Sequence, residues 1–438
     1  MRLENGAPAV IRALALVLIL SMTTTATPVL AQYTINTLAT FNKTGDGAYP
    51  YSGLLLSGGL LYGTASNSGP SGWGTVYSVP VTGGTPSVLG AFNSLDGALP
   101  VSDLTLIGDT LFSTTQEGGT LGDYGTVFSL PLTGGTPNAI TQFNNSNGCF
   151  AEGPLTLSAD GTTFYGTTTM GGDLSANNYG YGVVYSSPVA GGTPTVLTSF
   201  NLTNGNAPMG GLLRIGNTLY GTTQSGGANS QGEVFSLPVT GGSPTILTSF
   251  DGTHGAAPTG SLIVSGGLLY GTTSQGGNGY GTVFSLPLTG GTPTLLASFN
   301  FTDGDGPSAS LILSGDTLYG TTEFGADNNS DGEVFSLPLT GGTPTVLAAF
   351  DGTDGSEPYG DLLLSDNTLY GTTIYGGYGY DGDYRTGDGT VFSIALPEPR
   401  FGSLLVLAGT GLLLRRKRNA VNSEQKIHES ISRPVESG

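Results

Sequence analysis

The chain has 438 residues but only one cysteine, Cys149, and two histidines. A single cysteine cannot form an internal disulfide, so packing and hydrogen bonding must hold the fold together. His254 is the one histidine in the central part of the chain, which excludes a multi-histidine metal site there. A Ser-His-Asp triad would also need this residue. Because His254 stands where matching segments have Asp or Asn before Gly, we interpret it as a turn residue.

Basic residues are scarce as well, with 12 Lys and Arg against 31 Asp and Glu. Residues 33–396 keep only Lys43, Arg214 and Arg385 against 26 acidic residues, since five of the 31 lie outside that range. Such a surface repels phosphate backbones, so we exclude nucleic acid as a partner. The acidic surface is typical of a soluble extracellular protein.

Long apolar runs occur only at the two ends. Residues 1–31 are predicted to be a secretory signal peptide, since Arg2 and Arg12 flank the start of the apolar run Ala13–Met22. Val29-Leu30-Ala31 supplies a small-residue cleavage site. The run is too short to span a bilayer easily, so cleavage is favoured over a permanent anchor.

The C-terminal run belongs to a three-part tail, residues 397–418. Pro397-Glu398-Pro399 precedes the apolar stretch Phe401–Leu414, and Arg415-Arg416-Lys417-Arg418 follows it. The stretch would halt translocation with the basic cluster on the cytoplasmic side, but it is shorter than a stable span. The tail resembles the PEP-CTERM sorting signal, which implies an exosortase-type processing enzyme as partner. An ordinary membrane anchor is the alternative, and we expect the polar residues 419–438 to be disordered.

Between the ends, one unit occurs seven times, with steps of 49 to 55 residues. Each copy contains Leu-Tyr-Gly-Thr and then Gly-Thr-Val-Phe, or close variants of them. A period of this length is typical of an array of supersecondary units that cannot bury their apolar faces alone. The aromatic position of the first motif is occupied by Tyr62, Phe112, Tyr165, Tyr220, Tyr270, Tyr319 and Tyr370.

The fifth unit illustrates the predicted strands. Ser261–Ser265 leads through the two-residue hairpin signal Gly266-Gly267 into Leu268–Thr273. After a variable loop, Gly281–Leu288 and Pro293–Phe299 complete an antiparallel meander. Four short strands per repeat indicate an all-β fold, a seven-bladed β-propeller of four-stranded blades. A β-solenoid is the alternative, but it would leave the hairpin turns unexplained.

The ends of the array predict how the ring closes. Thr34–Phe41 has the apolar spacing of a fourth strand, yet it precedes the first full unit. The seventh unit ends after its third strand, Gly389–Ala395. The N-terminal strand is therefore expected to complete the last blade, which leaves no open sheet edge.

The repeat resembles the Gloeo/Verruco (GloVer) tandem repeat of bacterial surface proteins, which often precedes a PEP-CTERM tail. The resemblance covers residues 33–396 and implies a secreted, envelope or extracellular-matrix location. It transfers no catalytic residue. The segments that carry it are Leu318-Tyr319-Gly320-Thr321-Thr322, Gly281-Thr282-Val283-Phe284 and Leu288-Thr289-Gly290-Gly291-Thr292-Pro293.

Two acidic loops are candidate calcium sites, and no other cofactor is expected. The stretch Asp327–Gly332 has side-chain oxygens at alternate positions, as a calcium loop begins. Position twelve is Pro338 rather than an acid, which excludes an EF-hand. The second loop lies in the seventh unit. The candidate ligands are Asp327, Asn329, Asp331, Asp381 and Asp383.

Acidic residues also recur before Gly in the connections between units, at Asp46, Asp96, Asp303 and Asp354. Their recurrence favours a role in setting the turn over chemistry. An acid/base pair elsewhere among the carboxylates stays open as an alternative.

Loops between second and third strands differ most among the units. They are longest in the third unit, Thr169–Tyr181, and the seventh, Ile374–Asp388. Variable loops on a rigid scaffold commonly bind ligands. In the seventh loop we expect sugar or peptide stacking, with packing of the loop on itself as the alternative. The candidate residues are Tyr375, Tyr378, Tyr380 and Tyr384.

We therefore expect an exported bacterial surface or matrix propeller that is not an enzyme. It would bind a glycan or a surface protein through its variable-loop face. The membrane would be contacted through the C-terminal segment, at least before processing. The alternatives are an extracellular polysaccharide hydrolase or lyase using paired carboxylates, and a purely structural envelope component.

Overall fold

The structure is a computed structural model that describes residues 33–175, 178–325, 331–383 and 385–397. Its strands lie in one compact unit that ends at Leu396. Among the described residues there is no helix long and apolar enough to cross a membrane. The first fourteen strands are β1 (Asn36–Thr40), β2 (Leu55–Ser57), β3 (Leu60–Ala65), β4 (Thr75–Pro80), β5 (Ser87–Ala91), β6 (Thr105–Ile107), β7 (Thr110–Thr115), β8 (Thr126–Pro131), β9 (Asn138–Gln142), β10 (Thr156–Leu157), β11 (Thr163–Thr168), β12 (Val183–Pro188), β13 (Thr195–Ser199) and β14 (Leu213–Ile215). The others are β15 (Thr218–Thr223), β16 (Glu233–Pro238), β17 (Thr245–Ser249), β18 (Ile263–Ser265), β19 (Leu268–Thr273), β20 (Thr282–Pro287), β21 (Thr294–Ser298), β22 (Ile312–Ser314), β23 (Thr317–Thr322), β24 (Glu333–Pro338), β25 (Thr345–Ala349), β26 (Leu363–Ser365), β27 (Thr368–Thr373) and β28 (Thr390–Ala395).

The strands form seven four-stranded antiparallel sheets, and the fold is a seven-bladed β-propeller as predicted. Six blades are meanders of consecutive strands, such as β18-β19-β20-β21. The seventh has the order β1-β28-β27-β26, so the N-terminal strand completes the last blade. Gly266 and Gly267 form the tight β18–β19 turn with φ values of +57° and +81°, which suit glycine in a two-residue hairpin.

The core lies between neighbouring blades. The phenylalanine that follows each fourth strand packs edge-to-face on the aromatic residue in the third strand of the next blade, as in the pair Phe299–Phe335 with ring centroids 5.1 Å apart. Edge-to-face contact is a favoured geometry for buried aromatic pairs. At the closure, Phe41 makes the same contact with Tyr77 at 4.7 Å. The ring is thus sealed by the same contact that joins its internal blades.

The repeated glycine and threonine of Leu-Tyr-Gly-Thr have structural roles. A Cβ atom at Gly320 would lie 2.7 Å from Cζ of Phe335 on the paired strand, so only glycine leaves room for that ring. In five of the seven units the threonine joins adjacent blades, since its hydroxyl donates to a backbone carbonyl of the next unit. Thr372 donates in this way to the carbonyl of Ser52 across the closure, at 2.8 Å.

Candidate functional site

A cavity of about 500 Å³ lies where the seven units converge. Its walls come mainly from the three residues that precede the buried leucine at the start of each unit, a segment we call the inner turn. Because all seven units contribute to one cavity, it lies on the propeller axis and forms the mouth of the central channel. The inner turns are residues 51–53, 101–103, 152–154, 209–211, 259–261, 308–310 and 359–361.

The cavity opens on the variable-loop face. Each connection between blades pairs through its backbone with the start of the loop that follows the second strand, as Ser356 does with Tyr375. Connections and variable loops therefore share one face. Tyr375 itself lines the cavity and links it to the loop of the seventh unit.

The last residue of the inner turn holds neighbouring blades together. In several units its side chain accepts a hydrogen bond from the backbone N–H at the matching position of the preceding unit. Serine and aspartate make the same bond. The donors and acceptors are Gly53 N to Asp103 Oδ1 (2.6 Å), Gly211 N to Ser261 Oγ (2.9 Å), Ser261 N to Ser310 Oγ (2.8 Å) and Ser310 N to Asp361 Oδ1 (2.7 Å).

Three carboxyl groups line the cavity, those of Asp103, Glu152 and Asp361. Burial and the nearby charge of Asp361 raise the pKa of Asp103 to about 7, although the Gly53 N–H opposes the shift. Burial also raises the pKa of Asp361 and of Glu152. Gln116 Nε2 donates to Oε1 of Glu152 at 2.8 Å. The cavity therefore holds acidic groups where solvent is limited, and burial favours their protonated forms.

Another part of the cavity wall is aromatic. It consists of four tyrosines from the first and seventh units. Tyr51 and Tyr359 pack edge-to-face with ring centroids 5.3 Å apart, and Tyr49 and Tyr375 do the same at 5.3 Å. Burial, together with the nearby acidic groups, raises the pKa of Tyr51 to about 12. This phenol stays protonated at neutral pH and can donate a hydrogen bond.

The predicted tyrosines of the seventh loop divide between different places. Tyr375 lines the cavity, whereas the side chain of Tyr378 is 59% exposed and is not among the lining residues. Tyr380 lies against Gly352, where an added Cβ would come within 2.4 Å of the Tyr380 ring atom Cε2. This contact fits packing of the loop on the scaffold. Tyr384 lies outside the described residues.

The predicted calcium ligands lie partly outside the described residues, which do not include Asp327 and Asn329. Asp381 and Asp383 are exposed, and Asp381 Oδ1 accepts a hydrogen bond from the Thr386 hydroxyl at 2.8 Å. Asp331 is buried. Within the described ranges, no cluster of three or more His, Cys, Asp or Glu side chains is arranged to hold a metal ion. Calcium binding stays a prediction.

The sorting motif also falls mostly outside the described part of the chain, which ends at Pro397. Glu398, Pro399, Arg415, Arg416, Lys417 and Arg418 lie beyond that point.

The recurrent Asp-Gly positions make local hydrogen bonds. Asp303 Oδ1 accepts from the backbone N–H of Asn300 at 2.9 Å, and Asp46, Asp96 and Asp354 accept from matching positions. In the connection that leads to the fifth unit His254 occupies this place, and its Nδ1 lies 3.0 Å from Oδ2 of Asp251. These contacts place the five residues in turns.

A second cavity, of about 460 Å³, lies at the loop of the third unit. It is mainly apolar and includes Cys149, whose thiol has its pKa raised by burial to about 11. The thiol therefore stays protonated at neutral pH and is a poor nucleophile.

The chain is similar to one protein family in sequence and, distantly, to several solved structures. The sequence profile described as the Gloeobacter/Verrucomicrobia repeat matches residues 22–232 and 173–385. A search of curated proteins finds no match.

Similar solved structures include a Mycobacterium tuberculosis puromycin-hydrolyzing peptidase, with 14% identity, TM-score 0.48, and coverage of 84% of this chain and 57% of that one. A putative 6-phosphogluconolactonase from Bacteroides uniformis has 17% identity, TM-score 0.44, and coverage of 67% and 82%. A putative TolB from Agrobacterium tumefaciens has 16% identity, TM-score 0.39, and coverage of 66% and 87%. Likenesses this distant carry no argument about activity or partners.

Proposed function

Since the chain belongs to the Gloeobacter/Verrucomicrobia repeat family, we propose that it is an exported surface or matrix propeller that binds a carbohydrate without changing it. The predicted N-terminal signal peptide and the PEP-CTERM-like sequence of the tail support delivery to the envelope through an exosortase-type enzyme. The ligand would enter the channel mouth on the variable-loop face.

The observation that carries this proposal is the composition of the cavity. The units match where they pack, yet the inner turns differ from one another and place tyrosines beside carboxyl groups. Aromatic faces suit the apolar faces of sugar rings, and carboxylates accept hydrogen bonds from hydroxyls. The cavity volume of about 500 Å³ also lies in the range of roughly 300–1,000 Å³ that is typical of small-ligand sites.

A glycan array with the purified chain tests the proposal. We expect retention of at least one saccharide and loss of that binding in Tyr359→Ala, since Tyr359 lines the cavity and pairs with Tyr51. Tyr378→Ala is the matched control, because Tyr378 is exposed on the same loop face but does not line the cavity. Unchanged binding in Tyr359→Ala, or a loss of binding in Tyr378→Ala alone, would indicate that the saccharide binds at the loop of the seventh unit and not in the cavity. Absence of all saccharide binding would contradict the proposal.

Hydrolysis or lysis of a polysaccharide is the second candidate, and the raised pKa of Asp103 near Asp361 favours it. Two neighbouring carboxyl groups, one of them protonated near neutral pH, suit acid/base cleavage of a glycosidic bond. Against this, both residues hold blade-to-blade hydrogen bonds that serines hold elsewhere in the ring. Release of reducing ends from the retained saccharide would establish the catalytic alternative.

A further inference from the structure

We propose that the saccharide bound at the channel mouth carries a protonated amine, as an amino sugar without an N-acyl group does. The inference rests on the proposed carbohydrate binding and narrows its ligand to one chemical class.

The charge of the cavity is one-sided. Asp103, Glu152 and Asp361 line it, and no lysine, arginine or histidine is found among the described lining residues. Arg385, whose charge reaches the wall residue Tyr375, is already paired, with its Nε 2.8 Å from Oε1 of Glu357. An ammonium group entering the cavity would supply the missing positive charge and form charge-assisted hydrogen bonds, which are stronger than neutral ones.

The carboxyl groups exceed what the fold requires. Ser261 and Ser310 make the blade-to-blade bond with neutral hydroxyls at the positions that match Asp103 and Asp361. Aspartate at these positions adds the cost of desolvating a charge and of placing two acids close together. A cationic ligand offsets that cost, whereas none of the described lining residues supplies a positive charge.

A buried hydroxyl without a partner also belongs to a residue of the cavity wall. Ser102 lines the cavity and is 1% exposed, and its hydroxyl has no hydrogen-bond partner in the structure as described. A buried hydroxyl without a partner is costly. The tyrosine faces on the other wall also favour a cation, because the ring face is negative.

Calorimetric titration of the purified chain distinguishes the ligand classes. The probes are oligomers of glucosamine and of N-acetylglucosamine of equal length, which differ in the charge of the amino group. We expect the glucosamine oligomer to bind at least about tenfold more tightly, and added salt to reduce that preference.

The double variant Asp103→Ser with Asp361→Ser should remove most of the preference while keeping the blade-to-blade bonds. Its matched control is Asp109→Ser with Asp316→Ser, which removes two exposed carboxylates from hairpins and should leave the preference unchanged. Glu152→Gln, a substitution of equal size, should weaken the preference without removing the hydrogen bond from Gln116. A melting scan of each variant confirms that it is folded.

The inference is wrong if both oligomers bind equally, if the acetylated one binds more tightly, or if the double variant keeps the preference. It is also wrong if neither oligomer binds. In each of these cases the proposed carbohydrate binding would still hold if the chain retains a neutral saccharide and Tyr359→Ala does not. If no saccharide binds at all, the proposed function itself has failed.

Discussion

At the scale of single residues, the repeated motif acts through steric fit. Gly320 faces the Phe335 ring, and the same glycine–aromatic pairing occurs at Gly221 with Phe235 and at Gly371 with Phe392. The repetition of this glycine therefore reflects packing between the second and third strands of a blade.

Gly320→Ala is expected to destabilise the chain by about 1–3 kcal/mol, because the added methyl group overlaps the Phe335 ring. The matched control is Gly45→Ala, since Gly45 is exposed and an added Cβ would approach nothing closer than 3.9 Å. Chemical denaturation of both variants checks this. Equal stability of the two would show that the glycine is not needed for the fit.

At the scale of strands and blades, each contact between units is repeated around the ring. The pairing of β1 with β28 and the contact of Phe41 with Tyr77 reproduce, at the closure, what internal blades have. The N-terminal strand therefore contributes as much to the propeller as any internal fourth strand.

Phe41→Ala should lower the free energy of unfolding by about 3–5 kcal/mol, as expected for a buried phenylalanine. Phe299→Ala, the equivalent change within the ring, should cost about the same, because both side chains are 0% exposed. Denaturation curves measured side by side provide the comparison. A much smaller cost for Phe41→Ala would mean that the N-terminal strand does not close the ring.

The strands were largely predictable, because alternation and glycine turns are local signals. The predicted Leu268–Thr273 coincides with β19, and the predicted Gly281–Leu288 is one residue too long at each end compared with β20. Gly281 has a φ of +93°, which ends the extended backbone there. The N-terminal strand was expected at Thr34–Phe41 and lies within it, at Asn36–Thr40.

The cavity was harder to predict than the blades. Its tyrosines and carboxylates come from inner turns about 50 residues apart in sequence, and no local pattern joins them. Of the predicted loop tyrosines, Tyr375 reaches the cavity. The signal for Asp103 and Asp361 is their departure from the Gly, Ser or Pro that the other units have at the matching position. Tyr51 lies at a position that differs among most units. Both signals appear only when the seven units are aligned.

At the scale of the whole molecule, buried acids set the response to pH. Asp103 and Glu323 have pKa values raised to about 7, and Asp354 has a pKa raised to about 6, in each case chiefly by burial. Between the ordinary carboxyl pKa and these values, the folded chain holds protons that the unfolded chain has lost. Unfolding free energy therefore falls as pH rises from about 4 to about 7.

We expect the melting temperature to be higher at about pH 5 than at about pH 8. Asp103→Ser should reduce that difference by removing one such group while keeping its hydrogen bond. The exposed-site variant Asp109→Ser should not change it. Melting scans across this pH range check the sign. A melting temperature that rises steadily toward pH 8 would contradict the burial of these acids.

The central claim is that the inner turns, which differ among the seven units, line one binding cavity on the propeller axis. A crystal structure of the chain bound to the saccharide that it retains tests this claim most directly. We predict that the sugar lies at the channel mouth, between Tyr51, Tyr359 and the carboxyl groups of Asp103 and Asp361. A sugar seated on the exposed Tyr378 loop, or in the third-unit cavity beside Cys149, would contradict it.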